Sequence, residues 1–181
     1  MNEYFDLATE KMEKAIVSLM EQFERVRTGR ATPNLLNEVS IAYYGVNTPL
    51  YQLAQVSVVE GTQLMVKPFD PQILKEIEKS IFAANLGLTP QNDGTVIRVN
   101  VPQLTEETRK EIAKDISKMG EETKIVIRNA RREVNDIIKK DDSLSEDASK
   151  KGLDQVQKIT DDFVKQVDQA VSEKTTEVMT V

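Results

Sequence analysis

Residues 105–140 read TEETRKEIAKDISKMGEETKIVIRNARREVNDIIKK, and this stretch decides the fold. Thr105 is an N-cap candidate, and Glu106 and Glu107 favour the positive end of the helix dipole behind it. The segment predicts one helix running to about Lys140, roughly 50 Å long at 1.5 Å per residue. Ile112, Ile116, Met119, Val126, Ala130, Val134 and Ile137 supply its apolar positions. Within it, Lys124-Ile125-Val126-Ile127-Arg128-Asn129-Ala130-Arg131-Arg132 is a cationic island, with no carboxylate between Glu122 and Glu133. Lys124, Arg128, Arg131 and Arg132 fall within an arc of roughly 100°, about 150° from the centre of that apolar stripe. An outward-facing cationic stripe suits a dense array of phosphates.

A helix of this kind leaves its apolar stripe in water unless other helices cover it. Two further segments carry the same spacing. Phe5, Ala8, Met12, Ala15, Leu19, Phe23 and Val26 alternate steps of three and four, with Gly29 expected to end that helix and Pro33 to prevent its resumption. Asp141-Asp142-Ser143 breaks the long helix. A capping box from Ser143 to Glu146, or Ser145 as N-cap, starts the next, in which Leu153, Val156, Thr160, Phe163, Val167 and Ala170 repeat the seam. Three comparable stripes predict an antiparallel three-helix bundle. A dimeric coiled coil is the weaker alternative, because the short connection near Ser143 favours a local antiparallel return.

Residues 31–104 read as a small α+β module. Val39, Ile41 and Tyr43 alternate with polar neighbours and lead into Gly45 and Asn47, and Leu53–Val59 and Leu64–Val66 look like two further strands. Asp70-Pro71 starts a helix with Ile73, Leu74, Ile77 and Ile81 on one face, and Gly87 is expected as its C-cap. Asn92-Asp93-Gly94 then turns into a strand with Ile97, Val99 and Val101. The fold class is therefore α+β: a discontinuous bundle of residues 1–29 plus 105–181, with residues 30–104 as an inserted β/α/β domain. The two crossings, near Gly29-Arg30-Ala31-Thr32-Pro33 and Val101-Pro102-Gln103-Leu104, are expected to act as a hinge at Gly29, Arg30, Ala31, Pro102 and Gln103.

Composition narrows the function. Asp and Glu outnumber Lys and Arg by 30 to 24, so any contact with nucleic acid has to be local. There is no Cys, which excludes disulfides, thiolate nucleophiles and thiolate-bound zinc. There is no His either, so the commonest general base and metal ligand are both missing, and a catalytic role is not expected. Asp141, Asp142, Glu146 and Asp147 lack EF-hand spacing and read as a solvated turn with helix caps, so no metal site is expected. No apolar run approaches a membrane span, and the acidic N-terminus does not resemble a secretory signal, so a cytoplasmic location is expected. The glycines are scattered, with none of the clustering of a phosphate loop.

Arg27-Thr28-Gly29-Arg30-Ala31-Thr32-Pro33, Tyr43-Tyr44-Gly45, Thr48-Pro49-Leu50 and Gln52-Leu53-Ala54 resemble the ribosome recycling factor family. So do Leu86-Gly87-Leu88, Gly94 with Ile97-Arg98, Pro102 with Leu104-Thr105-Glu106-Glu107, and Arg128-Asn129 with Arg131-Arg132. The motifs keep the family's order, and the likeness covers essentially the whole chain. Thr108 departs from it, where the family often has a second Arg beside the one matching Arg109. The resemblance implies an L-shaped, hinged molecule comparable in outline to transfer RNA, and a monomer. It implies binding to the post-termination ribosome between the subunits, against large-subunit ribosomal RNA. With elongation factor G and GTP, the ribosome is then split and messenger and deacylated transfer RNA are released. By the same resemblance no cofactor is expected, the GTP being used by elongation factor G.

On this reading Arg128, Arg131 and Arg132 are the leading contacts to ribosomal RNA, with Lys124 as an outer member. Arg holds a phosphate through two parallel hydrogen bonds, whereas Lys acts as a point charge. The competing reading is a solvated helix face paired to Glu133 or Asp136. Arg109 is a further RNA contact or a partner of Glu106 or Asp115. Arg27 and Arg30 reach RNA or cap the negative end of the first helix. Tyr43 and Tyr44, read as adjacent strand positions, are expected on opposite faces. A structural adaptor binding a partner helix and a carboxylate-based hydrolase are the rival functions from other classes.

Overall fold

The computed structural model describes residues 1–180, which fall into two compact units: Met1–Val26 with Glu107–Thr180, and Arg27–Glu106. In chain order the elements are α1 (Asn2–Glu24), β1 (Ser40–Tyr43), β2 (Val46–Pro49), a single helical turn α2 (Leu50–Leu53), β3 (Ala54–Val59) and β4 (Gln63–Pro68). α3 (Leu74–Ala83), β5 (Thr89–Asn92), β6 (Ile97–Asn100), α4 (Glu106–Lys140) and α5 (Glu146–Met179) complete the chain.

The first unit is a three-helix bundle. Ala8, Met12, Ala15, Leu19 and Phe23 of α1 are buried against Gly152, Val156, Thr160, Phe163 and Val167 of α5 and the seam of α4. Each fully enclosed aliphatic side chain stabilises the bundle by roughly 1.5–3 kcal/mol. Cross-helix pairs fix the directions. Lys11 of α1 meets Glu133 of α4, and Tyr4 donates to Asp141 just past the end of α4. Lys124 of α4 meets Asp168 of α5, 2.5 Å away, and Arg131 meets Gln157. Low numbers on α1 and α5 thus face high numbers on α4, which runs antiparallel to both. The two buried threonines are satisfied within their own helices, Thr123 Oγ1 by the Met119 carbonyl at 2.9 Å and Thr160 Oγ1 by that of Val156 at 2.8 Å.

Three sequence expectations need correction here. Helix α1 stops at Glu24, not Gly29, its end tightened by Arg25 N–H to the Gln22 carbonyl and Val26 N–H to that of Phe23. Phe23 is the last residue its stripe buries, so nothing holds a further turn. The α4 seam consists of Ile116, Gly120, Thr123, Ile127, Ala130, Val134 and Ile138, while Val126 and Ile137 are 51% and 42% exposed. Of the two candidate caps for α5, Ser145 serves, accepting from Ala148 N–H at 3.2 Å. Ser143 is already committed to Asp141, which accepts from both its N–H and its hydroxyl.

Asp141 thereby receives donors from Ser143 and from Tyr4, and these hold its carboxyl below the usual carboxylate range. A lowered folded pKa contributes stability above the ordinary Asp value, and that stability is lost as pH falls through the folded one. Tyr4→Phe removes one donor. The melting temperatures of Tyr4→Phe and the parent chain are therefore expected to differ most near neutrality and to converge in acid, once the Asp141 carboxyl is protonated in the folded chain.

The second unit holds an antiparallel hairpin, β1–β2, and a four-stranded antiparallel sheet ordered β3-β4-β6-β5. Ile77 and Ile81 of α3 pack into one core with Ile41, Leu50, Leu64, Val66, Ile97 and Val99. The β1–β2 turn is Tyr44-Gly45, both at positive φ (48° and 80°), the geometry whose twist matches the flanking strands. Tyr44 therefore lies in the turn, not in the strand. Its ring comes back edge-on against Tyr43, centroids 4.5 Å apart, so the two rings do not take opposite faces. Helix α3 ends at Ala83, four residues before Gly87. Asn85, at φ 50°, takes the left-handed position beyond its end, a role Asn fills second only to Gly.

Candidate nucleic-acid interface

The observed α4 seam changes which cations face outward. Taking 3.6 residues per turn, Arg131 and Lys124 stand about 55° and 75° from the seam centre, and Arg128 and Arg132 about 115° and 155°. The four do not form one outward stripe, because the expectation placed Val126 and Ile137 in the seam. The segment divides into an inner pair and an outer pair.

Lys124 belongs to the bundle. Its side chain is only 14% exposed and its ammonium sits 2.5 Å from Asp168 and 3.1 Å from Glu121. The hydrogen bond to Asp168 is the main cause holding that ammonium above the ordinary lysine pKa. This is a correction to its assignment as an outward-facing cation. Arg131 is intermediate. One of its terminal nitrogens donates to Gln157 Oε1 at 2.8 Å, Gln157 in turn donates to Asp161 at 2.8 Å, and the Arg131 Nε is enclosed without a hydrogen-bond partner. Its guanidinium is thus oriented by a neutral amide and keeps its charge unopposed.

Arg128 and Arg132 are exposed, and neither forms an ion pair among the described residues. The reason lies in the neighbouring acids. Glu133, the expected competitor, is taken by Lys11 from α1, and Glu121 is taken by Lys124. Asp136, one turn beyond Arg132, forms no ion pair among the described residues. Between and beside the two arginines stand Ile125, 55% exposed and almost directly opposite the seam, and Asn129, also exposed. Sequence reasoning passed over both. Ile125 was indistinguishable from Val126 and Ile127 until the seam was known.

The remaining candidates lie elsewhere. Arg109 is half-buried on the seam side of α4, its Nε enclosed without a partner. Arg27 donates to the Leu86 carbonyl and lays its guanidinium over Gly87, where an added Cβ would lie 3.1 Å from Nη1. It does not cap α1; it braces the segment after α3. Arg30 is exposed. Of the expected hinge residues, Gly29 is buried at φ 78° with Leu104 against it, and Ala31 is buried with its N–H on the Gly61 carbonyl at 3.0 Å. Val101 N–H reaches the adjacent Thr62 carbonyl at 2.9 Å, so one β3–β4 turn anchors both chain crossings. Pro102 and Gln103 are exposed. Among the described residues no cluster of Asp and Glu converges as a metal site would require, and no helix is long and apolar enough to cross a membrane.

Comparison with known proteins gives matches over nearly the whole chain. A family model described as ribosome recycling factor matches residues 19–179. The chain is similar to the ribosome-recycling factor of Natranaerobius thermophilus, with 45% identity covering 98% of each chain. Its structure is similar to a solution structure of a ribosome recycling factor, with a TM-score of 0.81 at 35% identity, covering 99% of this chain and 97% of the other. It is also similar to the T. thermophilus ribosome recycling factor in a structure with E. coli elongation factor G on the E. coli post-termination complex. There the TM-score is 0.62 at 38% identity, over 98% of both chains.

Proposed function

The chain belongs to the ribosome recycling factor family, and from that premise we propose that it binds the post-termination ribosome through the outer face of α4. With elongation factor G and GTP it promotes splitting into subunits, and messenger and deacylated transfer RNA leave. It acts as a monomer in the cytoplasm and performs no chemistry of its own; elongation factor G uses the GTP.

The observation that carries this reading is the state of Arg128 and Arg132. In a chain of net charge −6, the adjacent Glu133 is held by Lys11 and Glu121 by Lys124, and the two arginines form no ion pair among the described residues of this long helix. That arrangement wastes two charges unless phosphates meet them. Arg131, oriented through Gln157, stands at the edge of the same face as a third contact. Lys124 and Arg27 act structurally, Arg109 and Arg30 are secondary contacts, and the acidic remainder keeps RNA binding local and reversible. Gly29–Ala31 and Pro102–Gln103 form the hinge, through which force applied by the translocase reaches the intersubunit contacts. The adaptor and hydrolase readings gain no observation in their favour.

The test is light scattering from post-termination ribosomes with elongation factor G and GTP. Scattering is expected to fall when this protein is added and to stay level without it. A level trace in both cases overturns the assignment of activity.

A further inference from the structure

We infer that the groove along the free edge of β3 is a docking site for an extended segment of a partner protein that carries an Arg or Lys. The inference goes beyond the ribosome reading, because neither α4 nor any of its cations takes part. The four-stranded sheet has two edges, β3 and β5. The phase of β3 follows from Phe69, whose N–H donates to the Leu53 carbonyl at 3.0 Å. Continued along the register, Gln55–Lys67, Ser57–Met65 and Val59–Gln63 exchange hydrogen bonds, so Ala54, Val56 and Val58 turn their N–H and C=O groups away from β4. The Ala54 N–H is taken by the Leu50 carbonyl. The outward groups of Val56 and Val58 form no backbone hydrogen bond among the described residues. Edge strands ordinarily carry a Pro, a Lys or a bulge that blocks further pairing. β5 has Pro90, whereas β3 (Ala-Gln-Val-Ser-Val-Val) has none of these.

Beside that edge, between β3 and the turn Pro33–Leu36, lies a cavity of about 370 Å³. Its size falls within the roughly 300–1,000 Å³ of ligand pockets. Leu36, Leu50 and Ala54 form its buried floor, while Tyr51 and Phe69 line it and are 60% and 70% exposed. Rings that exposed add little to the core, but their faces attract a cation. The charges around the cavity agree. No Lys or Arg lines it, and Glu38 and Asp70 stand next in the chain to its lining residues Asn37 and Phe69. Glu38 is exposed and forms no ion pair among the described residues. Phosphate is repelled from such a site, and a cationic side chain is drawn in. A second copy pairing through the same edge does not fit, since its β3 offers no cation. The added strand bonds its main chain to Val56 and Val58 and lays its Arg or Lys over Tyr51 or Phe69.

The experiment titrates a short peptide of alternating Val and Arg into the full-length, nitrogen-15-labelled protein, with a peptide of alternating Val and Glu as its counterpart. Amide shifts are expected at Val56 and Val58, and the Arg peptide is expected to bind about tenfold more tightly than the Glu peptide. Tyr51→Ala and Phe69→Ala should each weaken binding of the Arg peptide about three- to fivefold. Glu38→Gln, at an exposed position, should weaken it about twofold and repeats the test if an alanine variant loses stability. Methylating the peptide amides on the pairing edge should abolish the shifts, while methylating those on the other edge leaves them. That contrast separates main-chain pairing from general attraction to an acidic protein. Equal binding of the two peptides, or shifts spread over the surface instead of gathered at β3, overturns the proposal. A single-stranded RNA that produces the same shifts at β3, or a protein that dimerises through β3 by itself, identifies a different occupant and also sinks it.

Discussion

Replacing Arg128 and Arg132 together with Ala leaves the melting curve unchanged and weakens ribosome binding about a hundredfold at physiological salt. Both side chains are exposed and bond to nothing in the described structure, so their removal costs the fold within about 0.5 kcal/mol. Each charge-assisted hydrogen bond to phosphate contributes about 1.5–3 kcal/mol, which for two gives at least this loss. The dependence of log affinity on log salt should become shallower by about two, one for each phosphate contact. Lys124→Ala is the internal control from the same nine-residue segment. Its ammonium holds Asp168 and Glu121 inside the bundle, so its loss lowers stability by about 1 kcal/mol and leaves the salt slope as it was. Equal slopes for the double variant and the parent chain would remove the cationic grip from the mechanism.

That contrast also marks how far the sequence could be read. The extent of α4 was legible because thirty-five residues hold one apolar period, bounded on the far side by Asp141-Asp142-Ser143. Its rotation was not. Ile125, Val126 and Ile127 are all apolar, and only one can point inward. The choice is set by Gly120 and Thr123, which do not look apolar in a sequence yet lie in the seam. Choosing Val126 turned the helix enough to put Lys124 and Arg131 on the outside. The pairing of Lys124 with Asp168 joins two helices, and no local window contains it. In the other unit, β2 (Val46-Asn47-Thr48-Pro49) and β5 (Thr89-Pro90-Gln91-Asn92) were missed because each is short, polar and carries a Pro. Pro90 is tolerated because β5 is an edge strand, and such strands lack the alternation that reveals buried ones. The cationic segment was therefore found by composition, and its division into a paired half and an exposed half only by geometry.

The closeness of α4 and α5 gives the second large effect, at Gly120. A Cβ built there lies 2.5 Å from Val171 Cγ2 of α5, so the helices touch where any side chain would separate them. Val171 is β-branched and holds essentially one χ1 rotamer in a helix, so it cannot swing aside. Gly120→Ala gains up to about 1 kcal/mol of helix propensity, yet loses more by spreading the seam, for a net destabilisation of about 1–2 kcal/mol. Gly120→Leu should cost about 3 kcal/mol or more and shift Lys124 away from Asp168. Gly152 in α5 is the counterexample, and it decides whether the argument is about contact or about glycine. Its added Cβ would lie 2.9 Å from Met1 Sδ, the far end of an unbranched, flexible side chain that can move. Gly152→Ala is therefore expected to stabilise the bundle by up to about 1 kcal/mol through helix propensity. Thermal melts of the two alanine variants should move in opposite directions. Because α4 also carries Arg128 and Arg132, Gly120→Leu should weaken ribosome binding without touching a single cation, a loss that Arg128→Ala cannot imitate because it leaves the melt unchanged.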